Sequence, residues 1–444
     1  MKVFNVYNSL NNQIEPLKPI KENEISMYVC GPTVYGDIHI GNCRPVIVFD
    51  VLYRVLTYIG YKVTYMSNIT DVDDKIIKKA LEENVSESII SNRYFEHYLE
   101  LRKGLNAINP TYMPKVTENI DNIINFISRL VELGYAYESN GDVFFRVNKV
   151  PGYGRLSNLN LDDLQVGARI EENSYKENPA DFALWKKTDV GIKWDSPWSK
   201  GRPGWHTECV VMINSLFPNG LIDIHGGGFD LKFPHHENEI AQSYACSKTL
   251  LANVWMHNGY INMNNVKMSK SLGNVKSGKE ILDKYGVNVT RWAVISTHYR
   301  APINFSDEVM ENASKEVSKV VDPLKQASIK LQLNNYFNDI KDESLIDKFI
   351  DTLLDDLNTS NAQTVVFEIT KYLNQALRGK DFEILAKYYN TLRVCIELLG
   401  LVFEEIKLSD SDRELFEKWN EFKMNKDFTS ADEIRKILIE RGLL

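Results

Sequence analysis

Ile25-Ser26-Met27-Tyr28-Val29-Cys30-Gly31-Pro32-Thr33, followed after a short loop by His39-Ile40-Gly41-Asn42, is the stretch on which the fold turns. The apolar run that ends at Cys30 reads as a strand, and Gly31-Pro32-Thr33 breaks it. From Gly41 to Ile59 the apolar residues Val48, Val51, Leu52, Val55, Leu56 and Ile59 recur at a helical period. Lys62 to Met66 then alternates as a second strand. Strand, loop, helix, strand is the opening of a parallel α/β sheet of the nucleotide-binding kind, whose ligands gather at the carboxyl ends of the strands.

Working outward, the pattern changes between Val116 and Gly204, where hairpin-like pieces such as Gly141-Asp142-Val143-Phe144-Phe145-Arg146-Val147 and Gly and Pro punctuation suggest an insertion. The sheet resumes near Trp205 and continues through Leu221-Ile222-Asp223-Ile224-His225 to Val254 and Tyr260. Beyond Ala301 the chain turns to amphipathic helices, including Leu345 to Leu357 and Ser360 to Leu377, which suggest a helical bundle. The expected class is α/β: a Rossmann-like nucleotide-binding catalytic domain with an insertion, followed by an α-helical bundle and a small C-terminal unit. The expected boundaries are a first catalytic half at 1–115, an inserted subdomain at 116–204 and a second catalytic half at 205–264. A lysine-bearing loop and a stem-contact region follow at 265–318, then the bundle at 319–404 and the terminal unit at 405–444.

With 444 residues, 43% hydrophobic and 25% charged, the chain has the composition of a globular protein of several domains. No apolar run approaches the length of about 20 residues that spans a bilayer, and the first residues carry no apolar leader core. Five widely separated cysteines do not form a disulfide framework, which predicts a cytoplasmic, reducing location with some thiols free to act as ligands. A net charge of −8 argues against non-specific wrapping of nucleic acid, so any RNA contact is expected on local basic surfaces.

Two stretches carry chemistry. Leu231-Lys232-Phe233-Pro234-His235-His236-Glu237-Asn238-Glu239, with Cys209 just before it, offers thiol, imidazole and carboxylate together. On a helix His235 and Glu239 would share a face. Cys30, at the carboxyl end of a strand, is the best-placed fourth donor, giving Cys30, Cys209, His235 and Glu239 as a predicted zinc set, one ion per chain. The helix start at His39-Ile40-Gly41-Asn42 favours an anion by its dipole, and Gly41 lets a nucleotide approach the backbone. Far downstream, Lys267-Met268-Ser269-Lys270-Ser271 places two ammonium groups on a loop that can neutralise a departing pyrophosphate. The acidic cluster Asp71, Asp73 and Asp74 reads as the start of a helix rather than as a metal site.

These two signatures resemble the HIGH and KMSKS motifs of class I aminoacyl-tRNA synthetases. Taken with Cys30, Gly204-Trp205-His206-Thr207-Glu208-Cys209, His225-Gly226-Gly227-Gly228-Phe229-Asp230 and Leu353-Leu354-Asp355-Asp356-Leu357-Asn358-Thr359, the chain looks like the cysteine-specific branch of that family. Asn42 stands where the first motif ends in His; its amide still donates a hydrogen bond. The resemblance implies an ATP-dependent ligase that joins L-cysteine to tRNA(Cys) through cysteinyl adenylate, with Mg2+ on the ATP and no membrane association, working as a monomer. It implies that His39, Lys267 and Lys270 stabilise the transition state and that Gly41, Asn42 and Lys270 hold ATP. Asp230 would accept from ribose hydroxyls or from the substrate ammonium, and Thr70, Trp205 and His225 would line the cysteine pocket. Zinc would select thiol over hydroxyl, a separation of near-isosteres that an apolar pocket alone achieves only by about a hundredfold. The alternatives are a ligase that passes activated cysteine to an aminosugar and a non-catalytic RNA-binding relative. Asp427 to Lys436 resembles a small α/β unit that reads the anticodon, with Trp419, Phe422, Arg435 and Lys436 as candidate contacts, the alternative being that Trp419 and Phe422 form the core of a tiny helical unit; relatives commonly continue into a basic tail beyond the position of Leu444, so weaker anticodon discrimination is expected.

Overall fold

The computed structural model describes residues 2–159, 175–217, 220–264, 266–267 and 275–444. The chain divides into two units, one formed by Met1–Lys284 with Thr297–Phe305 and Leu354–Leu357, the other by Tyr285–Ser296, Ser306–Leu353 and Asn358–Leu444.

In the first unit a hairpin of β1 (Asn5–Asn8) and β2 (Gln13–Pro16) precedes β3 (Glu24–Val29), α1 (Ile40–Tyr58) and β4 (Lys62–Met66). The strand, loop, helix, strand order expected from residues 25–66 is therefore present. Helices α2 (Asp74–Glu83), α3 (Glu87–Gly104) and α4 (Ile120–Glu132) follow. Asp73 is the N-cap of α2, accepting from the Lys75 amide at 2.8 Å, and Asp74 stands in its first turn, so two of the three acidic residues begin a helix, while Asp71 lies before it and accepts from the Thr117 amide and hydroxyl.

The inserted region forms a four-stranded antiparallel sheet in the order β5 (Ala136–Ser139), β6 (Asp142–Phe145), β7 (Phe182–Lys187) and β8 (Gly201–Pro203). Beyond it come α5 (Glu208–Leu216), β9 (Ile222–Gly228), α6 (Glu237–Ser247) and β10 (Ala252–Asn258). Strands β9 and β10 return to the first sheet, whose order is β10-β9-β3-β4 with every pair parallel. Parallel strands need covering on both faces, and the buried residues of β9 and β10 accordingly run nearly without alternation. One apolar core joins the two sheets: Val143, Phe145, Leu184 and Trp185 of the insertion pack with Ile123, Ile127 and Leu130 of α4, Val210 and Ile213 of α5, and Ile222 and Trp255 of the parallel sheet. A small sheet of β11 (Ile261–Met263), β12 (Val266–Lys267) and β13 (Ile303–Phe305) completes the unit.

Helix α7 (Gly278–Ile295) is interrupted at Gly286, whose φ of +77° lies in the left-handed region that glycine adopts without cost. The second unit is helical: α8 (Asp307–Leu333), α9 (Glu343–Leu354), α10 (Thr359–Arg378) and α11 (Phe382–Leu398), then α12 (Asp410–Met424) and α13 (Phe428–Glu440). The terminal segment is thus a pair of helices and not the α/β unit expected for it. Its apolar residues Phe416, Leu438 and Leu443 form a small core with Ile329 of α8, with Trp419 and Ile434 against it, a helical spacing rather than an alternating one. Among the described residues no helix is long and apolar enough to cross a membrane.

Candidate functional site

The parallel register decides what meets at the carboxyl edge. Tyr28 lies opposite His225, and His225 opposite Trp255, so the three side chains stand in a row on one face. The His225 ring stacks on Trp255 with centroids 4.4 Å apart and tilts toward Tyr28 at 5.1 Å. One residue past the end of β3, Cys30 is held by its amide donating to Gly226 O at 3.1 Å. Gly31 must be glycine: a Cβ there would sit 1.6 Å from Asn68 O.

Cys30 Sγ lies 3.7 Å from Cys209 Sγ and 3.8 Å from Glu239 Oε1, and Cys209 Sγ lies 3.6 Å from His235 Nε2. The His235–Glu239 pair is closer, 2.8 Å from Nε2 to Oε1. In tetrahedral zinc with sulfur at about 2.3 Å and nitrogen or oxygen at about 2.0–2.2 Å, two sulfurs stand about 3.8 Å apart, sulfur and nitrogen about 3.5 Å, and sulfur and oxygen about 3.6 Å. The three distances that involve sulfur fit this pattern, and the fourth is the spacing of an ion pair. The expected four donors therefore converge to within 4.8 Å of one another in a number and chemistry that could hold a metal ion, the sulfur distances matching zinc and the His235–Glu239 distance shorter, with Cys209, His235 and Glu239 buried and Cys30 partly so. A second quartet shares Cys30 and Glu239 but replaces the others with His225 and His236. His236 Nε2 is 3.3 Å from Cys30 Sγ, and His225 Nε2 is 2.7 Å from Glu239 Oε2.

The electrostatics follow from burial and pairing. Burial alone would raise the Glu239 carboxyl, but the His225 and His235 imidazoles beside it hold it well below the usual range. Burial disfavours the His235 cation, yet Glu239 and Cys209 outweigh that and lift it to about 10. Burial and the neighbouring Cys209 push the Cys30 thiol well up. Cys209 is shifted the other way: burial opposes its thiolate, and Cys30 and His235 bring it down.

Of the remaining expected residues, Trp205 is half-exposed and stacks its indole on His235 with centroids 4.3 Å apart. Thr70 is buried after β4, its amide donating to Pro32 O and its hydroxyl to Glu208 Oε2 at 2.7 Å. Asp230 is exposed in the turn just beyond β9. His39 is the N-cap residue of α1, with Gly41 and Asn42 in its first turn. Two amides of that turn are already engaged, Ile40 N with Lys276 O and Asn42 N with His39 O, so the helix dipole rather than a row of open N–H groups remains for an anion. Lys267 stands in β12 by its backbone; Lys270, with Met268 to Asn274, lies outside the described residues. The chain on the far side of that segment returns to the helix start, through Ile40 N to Lys276 O at 3.0 Å and Gly278 N to Ile38 O at 2.8 Å. Gly278 permits the approach, since a Cβ there would lie 2.5 Å from Cys43 Sγ. In the second unit Arg435 and Lys436 are exposed, whereas Trp419 packs on the small terminal core with Lys423 Nζ 4.0 Å over its ring.

Sequence reasoning missed several residues. His236 Nδ1 meets His257 Nε2 at 2.8 Å, and His257 Nδ1 meets Ser9 Oγ at 2.8 Å, a buried chain reaching from the donor set to the first hairpin. Adjacency to His235 was the one available signal for His236; His257 and Ser9 gave none.

Comparison with known proteins identifies the family. Residues 16–315 match the family described as tRNA synthetases class I (C) catalytic domain, and residues 348–404 match the DALR domain. The cysteine–tRNA ligase of Acholeplasma laidlawii is 43% identical over 442 residues, covering 100% of both chains. That of Bacillus cytotoxicus is 44% identical over 451 residues, covering 99% of this chain and 97% of its own. The chain belongs to the cysteine–tRNA ligase family. The fold is also that of a methionyl-tRNA synthetase from Mycobacterium tuberculosis in complex with methionyl-adenylate, with a TM-score of 0.62 at 14% identity, covering 85% of this chain and 89% of that one.

Proposed function

We propose that this chain activates L-cysteine with ATP to give cysteinyl adenylate and pyrophosphate, and then transfers the cysteinyl group to the terminal ribose of tRNA(Cys). The observation that carries the reading is the Cys30, Cys209, His235 and Glu239 quartet, buried except for the partly buried Cys30, at the carboxyl edge of the sheet. These four residues would hold zinc, with the two-sulfur quartet favoured over its neighbour because thiolates suit that ion. The chemistry such an ion supplies is a soft Lewis-acid site for the thiolate of cysteine over the hydroxyl of serine.

The chain's own residues do the rest. Trp205, stacked on His235, and His225, fixed between Trp255 and Glu239, wall the pocket, while Thr70 offers a hydroxyl to the substrate's polar end. No side chain is needed as general base, because the attacking carboxylate is already ionised; the work is orientation and charge stabilisation. His39, Lys267 and Lys270 would carry the growing charge on the phosphates, Gly41 and Asn42 would receive the nucleotide, and Mg2+ would accompany ATP. Asp230 would serve the ribose or the ammonium. The helical unit that contains the DALR match supports tRNA binding, which disfavours transfer to an aminosugar. The thiols of Cys30 and Cys209 suit a reducing, cytoplasmic compartment.

Cysteine-dependent ATP–pyrophosphate exchange, followed by charging of tRNA(Cys), tests the reading. Exchange with cysteine but not serine and subsequent charging are expected, and Lys270→Ala should slow exchange by about a hundredfold or more. Exchange without charging would point to an aminosugar acceptor, and no exchange would overturn the catalytic reading.

A further inference from the structure

Glu208 is a buried carboxyl in the first turn of α5, immediately before Cys209, and among the described residues no cation pairs with it. Its contact is with a hydroxyl. Thr70 Oγ donates to Glu208 Oε2 at 2.7 Å, and Thr70 Oγ in turn accepts from Asn68 Nδ2 at 3.3 Å. The other end of the Asn68 amide is pinned, its Oδ1 accepting from Gly31 N at 2.8 Å. The chain of contacts thus runs from the residue after Cys30 to the residue before Cys209, through three side chains that are each about 2% exposed.

A threonine hydroxyl has one hydrogen and two acceptor positions. Glu208 takes the hydrogen and Asn68 fills one acceptor position, so one lone pair is left. An α-ammonium group is a donor only, with three N–H bonds. A freely turning hydroxyl could offer it a hydrogen and repel it; one whose hydrogen is committed to a carboxyl can only accept. In cysteine the ammonium is separated from the sulfur by two carbons, so a substrate whose thiol reaches the quartet carries its ammonium into the neighbourhood of the residues flanking Cys30 and Cys209.

We propose that Glu208 is a positioning residue that commits the Thr70 hydroxyl to accepting, so that the pocket reads the α-ammonium of its substrate as well as the thiol. The inference rests on the reading of Thr70 as a pocket residue. Asn68 assists by fixing which acceptor position remains open.

The test compares L-cysteine with 3-mercaptopropionate, which keeps the thiol and carboxylate and lacks the ammonium, by calorimetric titration of the full-length, zinc-loaded protein. In E208A, cysteine affinity should fall about tenfold to a hundredfold, the scale of one hydrogen bond to a charged group, while 3-mercaptopropionate binds as it does to the wild type. In E208Q the amide oxygen still accepts from Thr70, and most of the cysteine affinity should return. T70V, which keeps the shape and deletes the hydroxyl, should repeat the selective loss and carries the test if E208A does not fold. Equal weakening of both ligands in E208A would make Glu208 a prop for Cys209 and overturn the proposal, as would E208Q binding cysteine no better than E208A. If T70V weakens cysteine while both Glu208 variants bind it normally, the pocket stands and the role of Glu208 falls. Unchanged cysteine affinity in T70V would instead remove Thr70 from the pocket, and the underlying reading with it.

Discussion

Cys209→Ser removes one of two sulfurs from the buried quartet while changing the side-chain volume little. Cys209 Sγ is in contact with both Cys30 Sγ, at 3.7 Å, and His235 Nε2, at 3.6 Å, so the substitution strikes the centre of the donor set rather than its rim. Two thiolates and a carboxylate would bring three negative charges to a dication. With serine, which stays a neutral hydroxyl and is a harder, poorer ligand for zinc, they would bring two. Losing a mere outer partner of a metal ligand already costs ten- to a hundredfold in affinity, so losing the ligand itself should cost at least about a hundredfold, or about 2.8 kcal/mol. The assay is metal content by elemental analysis after equilibration with chelators of graded strength, alongside ATP–pyrophosphate exchange with cysteine and with serine. Wild-type protein should retain about one zinc per chain. The variant should give up its metal to a weaker chelator, activate cysteine poorly and lose most of its preference over serine. A variant that keeps its zinc and its preference would refute the reasoning, because the quartet could then not be what binds the thiol.

Two further outcomes concern stability. Arg44, fully buried in α1, donates from Nη1 to Tyr260 O at 3.0 Å and from Nη2 to His298 O at 3.3 Å and Ala301 O at 2.6 Å, a fork that lysine cannot reproduce; Arg44→Lys should lower stability in urea by about 3 kcal/mol, two charge-assisted bonds at the low end of their range. Asp342 accepts from Leu345 N at the start of α9 and pairs with Lys387 at 2.8 Å, and although burial opposes it, these partners lower its pKa. A lowered folded-state pKa gives stability that is present above the unfolded value near 3.9 and is lost as pH falls below it and through the folded pKa, so Asp342→Ala should speed amide exchange in α9 at pH 7, by the order of 1 kcal/mol for a lost cap, with the difference from wild type shrinking below about pH 4.

The parallel sheet was legible from residues 25–66 because two periods, one of strands and one of a helix, sit side by side there with a Gly-Pro break between them. A strand's carboxyl end is a place, and Cys30 could be assigned to it without knowing the rest of the sheet. The selection of His235 rests on a four-residue helical spacing to Glu239. Phe233, at φ −140° and ψ 136°, interrupts the turn before them, so the segment is not the regular helix that the four-residue spacing assumed. His235 still reaches Glu239 because the chain re-enters helical geometry at His235's successor, His236, which caps α6. At the terminal unit the resemblance points to α/β while the local period points to helices, Phe416 and Trp419 standing three apart and Ile434 and Leu438 four apart. Glu208, Asn68, His257 and Ser9 were invisible for a different reason. Each is an ordinary polar residue in sequence and gains meaning from the fold, Asn68 and His257 from the parallel sheet, Glu208 from the helix packed on it and Ser9 from the first hairpin. Ligand chemistry can be recognised in residue types, but the side chains that orient the ligands are chosen by proximity alone. A pocket of this kind therefore reveals its donors in the sequence and its positioning residues only in the fold.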